Sequence, residues 1–159
     1  GPAAIAVALD YGTSLCWDAG SCRLRYAWTG GYIDGYPYWQ GNGSSVAKLV
    51  GTVSYVETES PFPGEAERKF LGYSVKDGIP AFKYNIGTTT VTERYSPVAS
   101  GKGFVRTFSV SPAPKSPLVL KFPTEANATI TCDKGKIDGT TLTLAPTDAS
   151  EFTITFSLK

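Results

Sequence analysis

The chain has 159 residues and contains neither histidine nor methionine. Histidine is the usual axial ligand of haem, a common ligand of zinc and copper, and the base of most hydrolytic triads. Those chemistries are set aside together, and an enzyme built on this chain would have to use carboxylates, Lys, Tyr or Cys. Without an initiator Met, residues 1–159 are expected to be one domain excised from a larger protein, with Gly1-Pro2 either native or a protease scar. Neither sign of charge dominates: 15 basic and 14 acidic residues leave a net charge of +1. With no run of Lys or Arg to follow a phosphate backbone, nucleic acid is not an expected partner. No apolar run approaches the roughly 20 residues that span a bilayer, so membrane insertion is not expected either. Phosphate-binding glycine loops, HExxH, paired CxxC and G-x-S-x-G are all missing.

The sequence is rich in aromatic rings and turn residues. The stretch 26–42, YAWTGGYIDGYPYWQGN, holds two of the three tryptophans and four of the nine tyrosines beside glycines and a proline. Glycine and proline interrupt regular pairing, whereas Tyr and Trp carry an apolar body with a polar tip suited to a wet, adhesive surface. Two readings follow: an exposed binding loop, or a lid closing the open end of a β-sandwich. Three cysteines are present. Cys16 and Cys22 bracket a short turn where they could form a disulfide, which would place the protein in an oxidising compartment, or they could be small buried apolar residues.

About ten short strands separated by turns, with no amphipathic helix and no repeat, predict an all-β antiparallel sandwich. Residues 3–9 read as a strand buried on both faces, and 13–17 and 22–28 as a hairpin that leads through Trp28 into the aromatic stretch. Asp77-Gly78, a strong two-residue hairpin signal because both positions favour positive φ, joins 68–76 to 79–86 and sets Tyr73 opposite Phe82 and Leu71 opposite Tyr84. A second hairpin, 88–95 with 103–110, is expected to place Tyr95 opposite Phe104 and Glu93 opposite Arg106. Both charges then fall on the buried face, where they must pair, either as a structural ion pair or as polar anchors of a ligand site. Further strands are expected over 46–56, 118–122, 128–132, 140–144 and 151–158.

A sugar ring presents an apolar C–H face and a rim of hydroxyls. A site for it needs rings to stack on and amides or carboxylates to bond the rim. Trp28, Tyr36 and Trp39 are the candidate platforms, Asp34, Gln40 and Asn42 the candidate hydrogen-bonding partners, and Arg23, Arg25 and Glu93 outer candidates. The segments WDAGSCRLRYAWTGGYIDGYPYWQGNGSSVAKLVG, FLGYSVKDGIPAFKYNIGTTTVTERYSP and GFVRTFSV resemble a β-sandwich module of large secreted proteins of planctomycetes and their relatives. Those proteins often also carry c-type cytochrome and sugar-dehydrogenase-like domains. Asp18, Cys22, Trp28, Gly31, Asp34, Trp39 and Gly41 are the matching positions. Asp77 to Tyr84 is also similar to stretches of mutarotase-like and sugar-binding sandwiches. The resemblance implies an extracytoplasmic accessory domain, and within it Cys16 stands where an aromatic is expected.

The expectation is therefore a non-catalytic carbohydrate-binding module, extracytoplasmic and of bacterial type, whose partners are a polysaccharide and the neighbouring domains of its parent protein. Two alternatives stand beside it. One is an accessory domain that docks a cytochrome or dehydrogenase through the same aromatics; the other is a carboxylate-dependent enzyme acting on glycans. No cofactor is indicated, and whether a structural calcium is bound is left open.

Overall fold

Strand-forming runs bounded by turns pair antiparallel along the chain. The computed structural model describes residues 4–30, 33–34, 48–49, 52–122 and 128–158. In chain order the strands are β1 (Ala4–Ala8), β2 (Thr13–Asp18), β3 (Arg23–Thr29), β4 (Ile33–Asp34), β5 (Lys48–Leu49), β6 (Thr52–Val56), β7 (Arg68–Lys76), β8 (Ile79–Ile86), β9 (Thr89–Pro97), β10 (Gly103–Ser111), β11 (Leu118–Lys121), β12 (Ala128–Cys132), β13 (Lys136–Asp138), β14 (Thr141–Leu144) and β15 (Glu151–Leu158). The helical content described is two single 3-10 turns, Asp10–Gly12 and Pro146–Asp148.

The long sheet runs β12-β15-β10-β9-β8-β7, a four-stranded sheet runs β1-β2-β3-β6, a three-stranded sheet runs β11-β14-β13, and β4 pairs with β5. The four-stranded and three-stranded sheets both lie against the long one. Trp17 of β2 stacks on Phe82 of β8 at 4.4 Å, Tyr55 of β6 meets Phe156 of β15 edge-on at 5.3 Å, and Phe122, just after β11, meets Phe156 at 5.4 Å. The expected all-β sandwich is thus what the chain forms.

The alternation of β15 explains its place in the core. Phe152, Ile154, Phe156 and Leu158 are buried, while the residues between them are partly or fully exposed. Across β10 the pairs Phe104 with Phe156 and Phe108 with Phe152 stack at 4.7 and 5.2 Å. At Gly103, φ is 150°, and an added Cβ would run into the carbonyl oxygen of Phe156, so the close approach of β10 and β15 requires glycine.

The hairpin turns divide into those that pin register and those that do not. Asp77 and Gly78 have φ of 54° and 78°, and Lys76 pairs with Ile79 and Tyr73 with Phe82 as expected. Beyond Tyr73 a bulge between Phe70 and Gly72 sets aside Leu71, so Tyr84 pairs with Phe70 rather than with Leu71. Between β9 and β10 the faces are as expected but the register differs by two residues: Tyr95 pairs with Arg106 and Glu93 with Phe108. The strand buried on both faces is β2, which lies between β1 and β3; β1 is an edge strand.

Cys16 and Cys22 are buried free thiols, the second of the two readings their spacing left open. Cys16 pairs with Tyr26 across β3, and Cys22 sits in the turn with φ of 53°. Burial pushes the Cys22 thiol above its ordinary value.

Candidate functional site

Two places concentrate polar side chains, one sealed inside the sandwich and one open on its surface. The inner one follows from strand parity. Tyr55 and Glu57 are two residues apart on β6 and its continuation, and Glu93 and Tyr95 two apart on β9, so each carboxylate shares a face with a tyrosine. Both pairs point at Arg106 of β10. Arg106 and Glu93 are fully buried and Glu57 nearly so.

The Arg106 guanidinium forms an ion pair with Glu57, with a second donation to Glu57 Oε2 at 3.2 Å, while its Nε donates to Glu93 Oε1 at 3.0 Å. Tyr55 donates to Glu57 at 2.8 Å, Tyr95 to Glu93 Oε1 at 2.6 Å and Tyr84 to Glu93 Oε2 at 2.5 Å. Phe108 lies against the guanidinium plane, 4.9 Å from its carbon. Every carboxylate oxygen is therefore satisfied, as burial of charge demands.

Burial alone would pull the Arg106 guanidinium down, but Glu57, Tyr95 and Glu93 outweigh it and hold it well above its ordinary value. Burial likewise pushes Tyr55, Tyr84 and Tyr95 well up, which keeps their hydroxyls protonated as donors. Two carboxylates share one guanidinium, and burial raises the Glu57 carboxyl above its ordinary 4.5 against the pull of Arg106.

The sign of the resulting pH dependence is fixed. A carboxyl with a raised folded-state pKa contributes its full stability below about 4.5 and loses it as pH rises through the folded value. Glu57→Gln should therefore show a flatter dependence than the parent across that window, with the slopes differing by up to about 1.4 kcal/mol per pH unit. Urea unfolding at a series of pH values checks this; parallel curves would remove the surplus charge from Glu57.

This network assigns several sequence candidates to the scaffold. Glu93 is a structural ion-pair member, not a ligand anchor. The Arg23 guanidinium donates to the carbonyl of Glu57 at 2.5 Å, and the carbonyl of Arg25 accepts the Glu57 amide at 2.7 Å, so both residues hold Glu57 in place. Trp28 is fully buried and so is no stacking platform, because β3 turns it into the sandwich. Asp34 is described by its backbone, which pairs with Lys48. Tyr36, Trp39, Gln40 and Asn42 lie outside the described residues.

Among the described residues, the grooves open to solvent include two flanked by charged side chains. The larger, about 1000 Å³, runs between the segment 58–66 and the turn before β3; Arg23, Arg68 and Lys121 face Glu59 and Glu65 there. Its arginines are engaged: Arg68 donates to Ser60 Oγ at 2.7 Å and to the Phe62 carbonyl at 3.3 Å. The second, about 630 Å³, lies over the outward face of β7, β8 and β9. Small residues Gly72, Ser74 and Ala81 face Lys76, Lys83 and Arg94 in its lining; Tyr73 borders it at the β7 edge, but its ring lies on the other face of the sheet, against Phe82.

Tyr73 is 42% exposed, and its ring rests 5.1 Å from Phe82, which is itself stacked on Trp17. A column of rings thus carries rigidity from the core to a surface side chain. Among the described residues no cluster of His, Cys, Asp or Glu is placed to hold a metal ion. Nor is any helix among them long and apolar enough to cross a membrane.

No known protein family, characterised protein or solved structure matches the chain. The second groove escaped the sequence reading because its residues are scattered between Gly72 and Arg94. The signal was present in the Asp77-Gly78 turn, which fixes which side chains of β7 and β8 share an outer face.

Proposed function

We propose that this domain is a non-catalytic binding module for a polysaccharide, extracytoplasmic and working beside other domains of a larger protein. The observation that carries the reading is the groove over β7, β8 and β9, lined by long hydrogen-bonding side chains, with the half-exposed and braced ring of Tyr73 on the other side of the same edge strand. A ring fixed before binding loses little freedom when a sugar stacks on it. Two of the carboxylates that could serve an acid–base pair, Glu57 and Glu93, are sealed in the core and occupied by Arg106 and three tyrosines, whereas Asp18 and Glu59 are not buried. Tyr36, Trp39, Gln40 and Asn42 of the aromatic stretch remain part of the proposal as ligand contacts.

One observation favours docking of a partner domain as a second reading. β7 is an edge strand, and Leu71 and Val75 beside Tyr73 are 44% and 56% exposed. Native gels cast with a broad panel of soluble polysaccharides separate the two. The binding module is expected to be retarded by at least one polysaccharide, with Tyr73→Ala and Trp39→Ala each weakening retardation about tenfold, the scale of a lost aromatic anchor. Migration unaffected by every polysaccharide, with tight association to a neighbouring domain that Leu71→Ser and Val75→Ser abolish, would replace it with the docking reading.

A further inference from the structure

The geometry points to an anionic glycan, one carrying carboxylate or sulfate groups, as the ligand of the β7–β9 groove, lying along the strand direction. This rests on the polysaccharide reading of the same site and names its ligand class.

The registers give the charge pattern. On the outer face, Lys69 stands opposite Asn85, Lys83 opposite Gly72 and Thr92, Arg94 opposite Ala81, and Lys76 opposite Ile79. Four consecutive cross-strand rows therefore carry one cation each. Same-face residues recur about every 6.8 Å along a strand, so the series extends for about 20 Å. All four side chains are exposed. Arg94 donates to Ser109 Oγ at 3.3 Å, and none of the four forms an ion pair among the described residues. Asp77 in the hairpin turn is the acid in the groove lining.

With a net charge of only +1 over the whole chain, this array is a local arrangement, not a reflection of general basicity. Lys and Arg are donors without acceptors. A groove walled by them favours a ligand rich in anionic acceptors over a neutral sugar, whose hydroxyls also seek acceptors. The floor leaves room for such a chain: a Cβ added at Gly72 would meet nothing within 4 Å. Among the described residues the outer face of β7–β9 presents none of the series of rings on which single-stranded nucleic acid stacks.

The test uses the intact 159-residue chain in affinity gels and titration calorimetry at about 0.15 M salt, where loose surface attraction is largely screened. Polygalacturonate supplies carboxylates, dextran sulfate supplies sulfates, dextran and a mixed-linkage glucan are neutral, and single-stranded oligothymidylate is a polyanion without sugar specificity. Binding to polygalacturonate or dextran sulfate is expected, and which of them binds identifies the anionic group. Lys83→Glu with Arg94→Glu should weaken it about tenfold or more, as reversal of contacting charges does. Gly72→Trp, which fills the floor, should weaken it similarly, while Lys83→Arg should retain it. Unfolding midpoints of these surface variants should match the parent.

Neutral polysaccharides bound as tightly as anionic ones, and unaffected by the charge reversals, would overturn the ligand class while leaving the binding module intact. No binding to any polysaccharide would sink the binding reading along with this one. Tighter binding to oligothymidylate would reassign the groove to nucleic acid. Anionic glycan binding that ignores Gly72→Trp and the charge reversals would place the ligand elsewhere.

Discussion

Replacing Arg106 with leucine is expected to lower the unfolding free energy by about 3–5 kcal/mol, the range for breaking one side of a buried ion network. That is a large share of the about 5–15 kcal/mol that keeps a typical domain folded. Among the described residues, the substitution removes the one cation from a closed space holding Glu57 and Glu93 and leaves the carboxylates only tyrosine hydroxyls. Stranded carboxylates escape by binding protons, so the loss should shrink as the medium is made acidic. Arg106→Lys should fall between parent and leucine, since one ammonium cannot reproduce a fork that reaches Glu93 through Nε and Glu57 through the terminal nitrogens. Urea unfolding of the three proteins decides it. A leucine variant within about 0.5 kcal/mol of the parent, inside the range of ordinary surface changes, would mean that Arg106 does not bridge the two acids.

Trp17→Ala should cost a similar amount, about 3–5 kcal/mol. Trp17 is fully buried and joins two layers: its ring stacks on Phe82 and lies 5.6 Å from Tyr84 and 5.7 Å from Phe70. The cavity left by alanine would face three aromatic side chains on adjacent strands that cannot collapse without bending the sheet. Trp17→Phe should be milder, because the indole Nε1 is buried with no hydrogen-bond partner and phenylalanine gives up only volume. Thermal unfolding orders the series. Near-ultraviolet circular dichroism should also lose intensity in the alanine variant as Phe82 and Tyr73 lose their support. Equal midpoints for alanine and parent would show that the layers are held together elsewhere.

The parts of the fold legible in the sequence are those governed by local chemistry. Asp77-Gly78 demanded a turn with positive φ at both positions and obtained it, and the clean alternation of residues 151–158 marked which side of β15 is buried. Pairing across β9 and β10 was legible by face but not by register, because residues 98–102 offer no two-residue turn to lock one residue against another. The bulge at Leu71 could not be read, since nothing in the local residue pattern announces where one strand carries an extra residue.

The buried network was legible in outline. Glu93 and Arg106 on an apolar face had to pair, but Glu57 arrives from a strand about fifty residues away in sequence, and only the stacking of two layers brings it there. Composition drew attention to residues 26–42 as sticky surface. Trp28 shows why that argument falls short: an apolar body with a polar tip serves a covered position as well as an open one, and the layer laid over β3 decides which.

Among the described residues the long sheet ends at β7, whose edge carries Leu71, Tyr73 and Val75 into water. An open border of that kind is a template along which a second copy could zip. The extra residue at Leu71 puts the ladder out of step partway along, and Lys69 and Lys76 set like charges on either side of the break. Two copies brought border to border would meet interrupted hydrogen bonding and mutual repulsion. Both features oppose strand addition along an edge that exposes apolar side chains.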